Sequence, residues 1–454
     1  MAVASPHLPT PGRQRRAVLG TVLLLLVFGV CGLIVLGLVG GSIGLGAVLV
    51  GALGALVPVG PVVWAFLWVD RWEPEPTRTL LFAFLWGACV AALTALIINS
   101  SAAYFADAVL GEGSGDVLGA TVIAPFVEEG VKGAFVIGLL LFRRREFDGV
   151  VDGIVYAGLV AAGFAFTENI LYMGQAFAED SGMAGQSGGV LAVLILRGVL
   201  SPFAHPLFTS MTGIGCGLAA GRRSPTARVL LVLLGYLLAV ALHALWNSSA
   251  TFGDGGAFLA VYLYVMLPLF LAMILLVNWQ RRREQRTVRD ELPGFAQAGW
   301  IAPSEIPLLG SLAGRNRWRR AVRRRSGKPA ARAVSEYQTA VTELAFLRSR
   351  MRRGTVGPHA RQWHDERLAT LVAARARAMG QPEALAAAWI QPPPPGWAAP
   401  PPQPPGWQPD PSPPQGWGQA PGWGGRPGPW GSQGQQPGGW GPPPGGGGWG
   451  PPHR

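Results

Sequence analysis

Eight apolar stretches, each long enough to cross a lipid bilayer, fill most of the first 280 residues of this chain. A helix needs about 20 apolar residues, rising ~1.5 Å each, to span ~30 Å of hydrocarbon. The pattern predicts an all-α, polytopic membrane protein of about eight transmembrane helices. The predicted spans are Ala17–Gly40, Gly44–Val69, Leu80–Tyr104, Val117–Phe142, Val150–Met173, Gly189–Ala220, Ala227–Ala250 and Gly256–Trp279.

The composition agrees with a membrane protein, since 50% of the residues are hydrophobic and only 14% are charged. We interpret the first span as a retained signal anchor, because its apolar core is too long for a secretory signal peptide. Cations precede the first span and follow the second, fourth, sixth and eighth, whereas the intervening loops carry acids and no Lys or Arg. This asymmetry predicts both termini in the cytoplasm. The cations are Arg13, Arg15, Arg16, Arg71, Arg78, Arg143 to Arg145, Arg222, Arg223, Arg228 and Arg281 to Arg283; the acids are Asp107, Glu112, Asp116, Glu179, Asp180 and Asp254.

The formal net charge of +12 fits attraction to the anionic lipid of the bilayer, and we expect no nucleic-acid partner. Cys31, Cys89 and Cys216 lie in different spans and form no C-x-x-C pair. Neither a disulfide framework nor a cysteine-zinc site is therefore indicated.

Three charged residues interrupt the fourth span in the sequence FVEEGVKGAF. Glu128 and Glu129 lie roughly 16 Å from its outer end, where an ionised carboxylate costs on the order of 3 kcal/mol. Lys132 follows at i+4 and i+3, so an ion pair with one glutamate is available. The two glutamates should then share a proton. Pro125 should kink this helix.

Polar pairs also enter the next three spans, and we expect them to meet in one hydrated cavity that opens toward the outer face. Such a set suits hydrolysis, because a carboxylate can deprotonate water while imidazole and amide groups stabilise an oxyanion. A purely structural ion pair is the alternative for the fourth span. The pairs are Glu168 with Asn169, His205 with Thr209, and His243 with Asn247.

No H-E-x-x-H is present, and neither G-x-S-x-G nor a P-loop motif appears at a sensible place, which disfavours zincin, serine hydrolase and P-loop chemistry. Instead, the motif series E-E-x-x-K, F-x-x-x-E-N, histidine with threonine, and H-x-x-W-N resembles that of the PrsW family. The stretch DGIVYAG from Asp152 matches too, and the resemblance covers roughly residues 60 to 280. This family consists of bacterial polytopic intramembrane proteases related to the CAAX prenyl endopeptidases and the CPBP group.

The resemblance implies cleavage of membrane-anchored proteins, with anti-sigma factors as the best-known class, in the bacterial cell membrane. Carried over by position, Glu128 or Glu129 activates water, Glu168 positions it or binds a metal, and Asn247 is the oxyanion partner beside His205 and His243. Glu168 stands where the prenyl endopeptidases have histidine, which argues against prenylated substrates. Lys132, Asn169 and Thr209 are supporting residues.

The cofactor prediction is either none or a single zinc ion, with Glu129, Glu168, His205 and His243 as candidate ligands. A proton- or ion-coupled transporter is the alternative function, because intramembrane acids and histidines also mark transport paths. A catalytically inactive scaffold is a third interpretation, against which the complete motif set argues. The sequence indicates no particular oligomeric state.

The predicted domain division is a cytoplasmic N-terminus (1–16), a transmembrane protease domain (17–280, with its motifs in 117–250), a basic helical region (281–390) and a disordered Pro/Gly/Trp-rich tail (391–454). Within 281–390, Ala330–Arg353 and Pro358–Met379 are predicted to pair as a helical hairpin. The arginines between Arg315 and Arg325 are interpreted as a membrane-surface patch with Trp318 at the interface, or as a solvated charge run. The regularly spaced tail tryptophans could alternatively bind a partner.

Overall fold

A computed structural model describes residues 11–72, 74–143, 147, 149–182, 188–252, 255–357 and 359–389. These ranges contain helices and connecting turns but no strand, which confirms the predicted all-α fold for them. Residues 1–10 and the predicted disordered tail lie outside the described ranges, as do Arg144, Arg145 and Asp254, on which part of the orientation argument rests.

The membrane region is built from twelve helical pieces among the described residues. π-Helical turns join three neighbouring pairs of them, at Trp86–Ala91, Gly119–Ile123 and Tyr262–Met266. The pieces are α1 (Pro11–Ile43), α2 (Leu45–Val69), α3 (Thr77–Leu85), α4 (Ala92–Leu110), α5 (Ser114–Leu118), α6 (Ala124–Phe142), α7 (Val150–Gly182), α8 (Gly189–Leu194), α9 (Ala204–Ala220), α10 (Pro225–Thr251), α11 (Gly255–Val261) and α12 (Leu267–Gln297).

Seven helices among the described residues are long and apolar enough to cross a membrane. The remaining predicted span, the fourth, is also helical: α5 and α6 run through it from Ser114 to Phe142. It falls outside the seven because Glu128, Glu129 and Lys132 interrupt its apolar sequence. Eight crossings with both termini on one side therefore stay a prediction.

Two predicted spans differ from the structure in ways that matter for the site. The sixth span is broken rather than continuous, because a π-helical turn (Ile195–Leu200) leads into non-helical residues 201–203 before α9 begins at Ala204. Pro202 cannot donate a backbone hydrogen bond, which favours a break at this point. The helix of the eighth span continues beyond the predicted end at Trp279, because α12 extends to Gln297.

α7 is the central helix of the membrane region and is buried along most of its length. Its neighbours approach closely where both helices carry glycine, as small residues allow in membrane proteins. One such approach joins α7 to α9: a Cβ added at Gly153 would lie only 2.0 Å from the carbonyl oxygen of Gly213.

Gly153→Ala is therefore expected to destabilise the membrane region, because the added methyl group must push α7 away from α9. Overpacking of this kind costs about 1 to 3 kcal/mol. The measurement is the thermal unfolding midpoint of the purified protein in detergent. Gly138→Ala is the matched control, since no described atom lies within 4 Å of a Cβ at that position in α6. Equal midpoints for the two variants would contradict the close contact.

The C-terminal helices form a core of their own around the extension of α12. The predicted hairpin is present: α14 bends at Gly327, which has a φ of +80°, and its second half packs against α15. These helices are α13 (Ile306–Leu309), α14 (Leu312–Arg352), α15 (Ala360–Met379) and α16 (Ala386–Trp389).

The interfacial position predicted for Trp318 is wrong. Its side chain is 1% exposed, and its indole N–H donates to the carbonyl of Ala384 at 2.7 Å. Arg315 is buried too, donating to the Leu309 carbonyl at 2.8 Å and lying 4.9 Å from the Trp72 ring. Burial lowers the pKa of Arg315 to about 9. The basic stretch thus forms one wall of the C-terminal core and contacts the turn between α2 and α3.

Candidate active site between α6, α7, α9 and α10

Lys132 is the centre of the polar cluster in α6. Its ammonium group lies 2.9 Å from Glu129 Oε1 and 3.3 Å from Glu128 Oε2, so the predicted local ion pair involves both glutamates. It also lies 3.3 Å from Nδ1 of His205 and 4.0 Å from the centre of the Phe164 ring. Lys132 is fully buried, and it connects α6 to α7 and α9.

Glu129 is fully buried, and both of its oxygens are engaged. Thr209 donates its hydroxyl hydrogen to Oε2 at 2.8 Å, and Nδ1 of His243 lies 3.1 Å from Oε1, which Lys132 also contacts. A carboxylate can only accept, so the hydrogen of neutral His243 resides on Nδ1. Its Nε2 is then an acceptor, 3.9 Å from Oε2 of Glu128.

His205 stands near the N-terminus of α9, directly after the break in the sixth span. The Lys132 ammonium can only donate, so His205 accepts at Nδ1 and carries its hydrogen on Nε2. That nitrogen lies 2.7 Å from Oε2 of Glu168. The histidine thereby joins the cluster of α6 to the carboxylate of α7.

Arg197 is a site residue that the sequence analysis missed. Its guanidinium forms an ion pair with Glu168, donates from Nε to Asn169 Oδ1 at 2.7 Å, and lies 4.2 Å from the Tyr172 ring. The available signal was a single arginine inside an apolar span, where a cation needs a partner. Glu168 and Asn169 are therefore held by a side chain from the π-helical turn before α9.

Two amides complete the cluster. Asn247 donates to the carbonyl of Ala120 at 2.8 Å, in the π-helical turn that precedes Pro125 in α6. Asn99, which the sequence analysis also missed, is 3.4 Å from Oε1 of Glu128. The kink expected at Pro125 is thus a π-helical turn, and Asn247 satisfies one of its carbonyl groups.

A cavity of about 770 Å³ lies over this cluster. Glu129 and Lys132 are absent from its lining and lie behind it, whereas Glu128 is on its surface with 10% of its side chain exposed. The lining extends to Asp116 and Thr251, near the helix ends predicted to face outward. The sequence-predicted residues that line it are Glu128, Glu168, Asn169, His205, His243 and Asn247.

Asp152, from the DGIVYAG stretch, is not part of this cluster. It lies sixteen residues before Glu168, about 24 Å along α7 on helical rise. Its Oδ2 accepts the backbone N–H of Gly149 at 2.9 Å. It lines a different cavity together with Asp70, whose pKa burial raises to about 8.

Glu128, His205 and His243 could hold a metal ion, since one donor atom from each lies within 4.8 Å of the others. This set includes Glu128, whereas the sequence candidates were Glu129 and Glu168 with the two histidines. The residues fit a metal site in one further respect. Glu129 holds Nδ1–H of the cavity-lining His243, as carboxylates do behind metal-binding histidines, and this leaves Nε2 as the acceptor nitrogen. His205 could bind the metal ion only by giving up its contact with either Lys132 or Glu168.

One protein family matches the part of the chain that carries the cluster. Residues 75–273, which include all four motif-bearing segments, match the PrsW family of intramembrane metalloproteases. No solved structure matches the chain significantly.

Similar proteins occur in several bacteria. The chain is 27% identical over 216 residues to protease PrsW of Clostridioides difficile (strain 630), which covers 47% of this chain and 85% of that protein. It is 25% identical over 222 residues to protease PrsW of Bacillus subtilis (strain 168), which covers 48% of this chain and 88% of that protein. It is 31% identical over 150 residues to protease PrsW of Geobacillus kaustophilus (strain HTA426), which covers 33% of this chain and 58% of that protein.

The match region, the relatives and the apolar helices lead to one conclusion. Through residues 75–273, this multi-pass membrane protein is similar to the PrsW family of intramembrane proteases of bacteria.

Proposed function

We propose that the cavity over α6 hydrolyses peptide bonds in membrane-anchored proteins and that Glu128 activates the water. The observation that carries this is the unequal environment of the two neighbouring glutamates. Glu128 reaches the cavity, whereas Glu129 is fully enclosed and already bonded to Lys132, Thr209 and His243. A base must reach the proton that it removes, and only Glu128 of the pair does so.

The surrounding side chains suit the remaining steps. A water molecule between Glu128 and Nε2 of His243 would have two acceptors, and Glu128 would take its proton as the oxygen attacks the carbonyl carbon. Asn247 and Arg197 line the same cavity and can donate to the oxyanion. Glu128 then passes the proton to the leaving amine nitrogen, which completes the hydrolysis.

A metal-dependent route would use the same residues, with Glu128, His205 and His243 as ligands. A bound zinc ion would polarise the carbonyl and lower the pKa of water. Glu168 is the cavity-lining carboxylate that would then accept the proton, and Arg197 and His205 hold it in place. The family description, which names a metalloprotease, favours this second route.

The substrates and orientation are further parts of the proposal. Both termini lie in the cytoplasm, as the arginine-rich loops favour. The cavity then opens toward the outer face, where a membrane-anchored substrate would be cut near the surface. Anti-sigma factors are the substrate class that the family resemblance implies.

The test is cleavage of a panel of single-span reporter proteins by the purified full chain in detergent. We expect His243→Ala to slow cleavage at least a hundredfold, because it removes an acceptor from the water site. Val372→Ala, at a half-exposed position in α15, is the control and should cleave like the unaltered protein. Loss of cleavage with a chelator, restored by zinc, would select the metal-dependent route. Equal cleavage by His243→Ala would contradict the assignment of the cavity.

A further inference from the structure

A second cavity, of about 810 Å³, lies at the arginine-rich end of the membrane helices. It is bounded by the turn between α9 and α10 on one side and by the turn between α14 and α15 on the other. Four arginines line it, together with Trp363 and an apolar surface from the ends of α6 and α9. The arginines are Arg223, Arg228, Arg350 and Arg353.

The two sides of this cavity are joined by a direct contact. Nε of Arg223 donates to the carbonyl of Gly354 at 2.7 Å, which ties the α9–α10 turn to the end of α14. Gly354 has a φ of +64°, and a Cβ there would collide with the Arg223 guanidinium. Arg228 is held on the same side by donation from Nε to the carbonyl of Arg222 at 2.8 Å. Backbone carbonyl groups therefore position Arg223 and Arg228.

The charge of the cavity favours an anion. None of its described lining residues is Asp or Glu. The residues next to Phe147 that lie outside the described part of the chain are two acids, Glu146 and Asp148, and two arginines, Arg144 and Arg145, so their formal charges cancel. Guanidinium groups bind phosphate oxygens through paired hydrogen bonds, which suits several arginines around one phosphate.

The apolar side of the cavity distinguishes a lipid from a soluble anion. Leu140 and Ala220 come from the ends of membrane helices, and Phe147 lies five residues after the end of α6. Next to Leu140 in sequence, Leu141 and Phe142 are 54% and 85% exposed. Acyl chains could lie along this surface while the phosphate remains among the arginines.

We propose that this cavity binds the headgroup phosphate of an anionic phospholipid from the leaflet that faces the C-terminal helices. The site goes beyond the proposed protease function, because Arg350, Arg353 and Trp363 lie outside the region matched to the family. Basic cavities at the cytoplasmic ends of membrane helices are known to bind anionic headgroups. A bound lipid would join the protease region to the C-terminal helices.

The measurement is the thermal unfolding midpoint of the delipidated full chain in detergent at increasing lipid concentration. A ligand that binds the folded state raises this midpoint. Phosphatidylglycerol is expected to raise the midpoint at a concentration at least tenfold lower than phosphatidylcholine does. Inorganic phosphate at the same concentration should have no effect. Arg228→Gln with Arg353→Gln should increase the half-saturating phosphatidylglycerol concentration by about tenfold or more.

Two further double variants separate binding from folding. Arg228→Lys with Arg353→Lys keeps both charges and should stay within about threefold of the unaltered protein. Arg282→Gln with Arg317→Gln removes two exposed arginines outside the cavity and should bind normally. Equal responses to the two lipids, or normal binding by the Arg228→Gln/Arg353→Gln variant, would overturn the proposal. An equal response to inorganic phosphate would assign the site to a soluble anion instead.

Discussion

Glu128→Gln is expected to reduce peptide-bond cleavage by about 10²- to 10⁴-fold, which is the usual contribution of a positioned general base. Glutamine has nearly the same shape as glutamate but cannot accept a proton at pH 7, so the variant removes the proposed chemistry and little else. The same loss is expected if Glu128 binds a metal, because an amide is a poorer ligand than a carboxylate. The measurement is the single-turnover cleavage rate of a reporter that the unaltered protein cuts.

The fold should survive this substitution. Lys132 keeps its shorter contact, 2.9 Å to Glu129, and the amide oxygen of glutamine can still face Lys132 in place of Glu128 Oε2. Asp116→Asn makes the same chemical change at an exposed position on the lining of the cavity. That control should retain activity within a few-fold. A Glu128→Gln protein that keeps more than about a tenth of the activity would assign the base elsewhere.

The sequence predicted which side chains lie together where local spacing decides the geometry. Glu128, Glu129 and Lys132 share one face of α6 because i+3 and i+4 positions adjoin on any helix. His243 and Asn247 share a face of α10 for the same reason, and both line the cavity. That the four segments converge also followed from sequence, since polar groups in a bilayer avoid lipid.

The sequence could not assign partners that depend on how the helices pack. Glu129, and not Glu128, is the enclosed carboxylate because Thr209 of α9 and His243 of α10 bind it. Arg197 and Asn99 were missed because a run of apolar residues was treated as uniform along its length. Arg197 reaches Glu168 because the helix breaks before His205.

Outside the membrane, composition misled the prediction for one segment. A run of arginines around Trp318 resembles a membrane-surface patch, yet Trp318 and Arg315 are buried in the C-terminal core. Arg315 is accommodated there by carbonyl and hydroxyl acceptors and by the Trp72 ring. Such acceptors come from residues distant in sequence, so a local pattern of charge does not reveal them.

Lys132→Met is expected to destabilise the folded protein by about 3 to 5 kcal/mol, the usual cost of removing one partner from a buried ion pair. It would leave Glu129 fully buried without its cation, and also remove the contact of Lys132 with His205. The measurement is the free energy of unfolding in mixed detergent with increasing dodecyl sulfate. Arg282→Met removes an exposed cation from α12 and should change stability by less than about 0.5 kcal/mol.

The double variant Glu129→Gln with Lys132→Met tests whether the cost arises from the pair itself. The amide oxygen of glutamine can still accept from Nδ1–H of His243, and its NH2 group can donate to the Thr209 hydroxyl, which can accept as well as donate, while no buried charge remains at position 129. The double variant should therefore be more stable than the sum of the two single effects predicts, by at least about 1 kcal/mol. Strictly additive effects would mean that Lys132 is stabilised mainly by Glu128 and His205. In that case the main role of Glu129 would be to position His243, and Glu129→Gln alone would reduce the cleavage rate more than the free energy of unfolding.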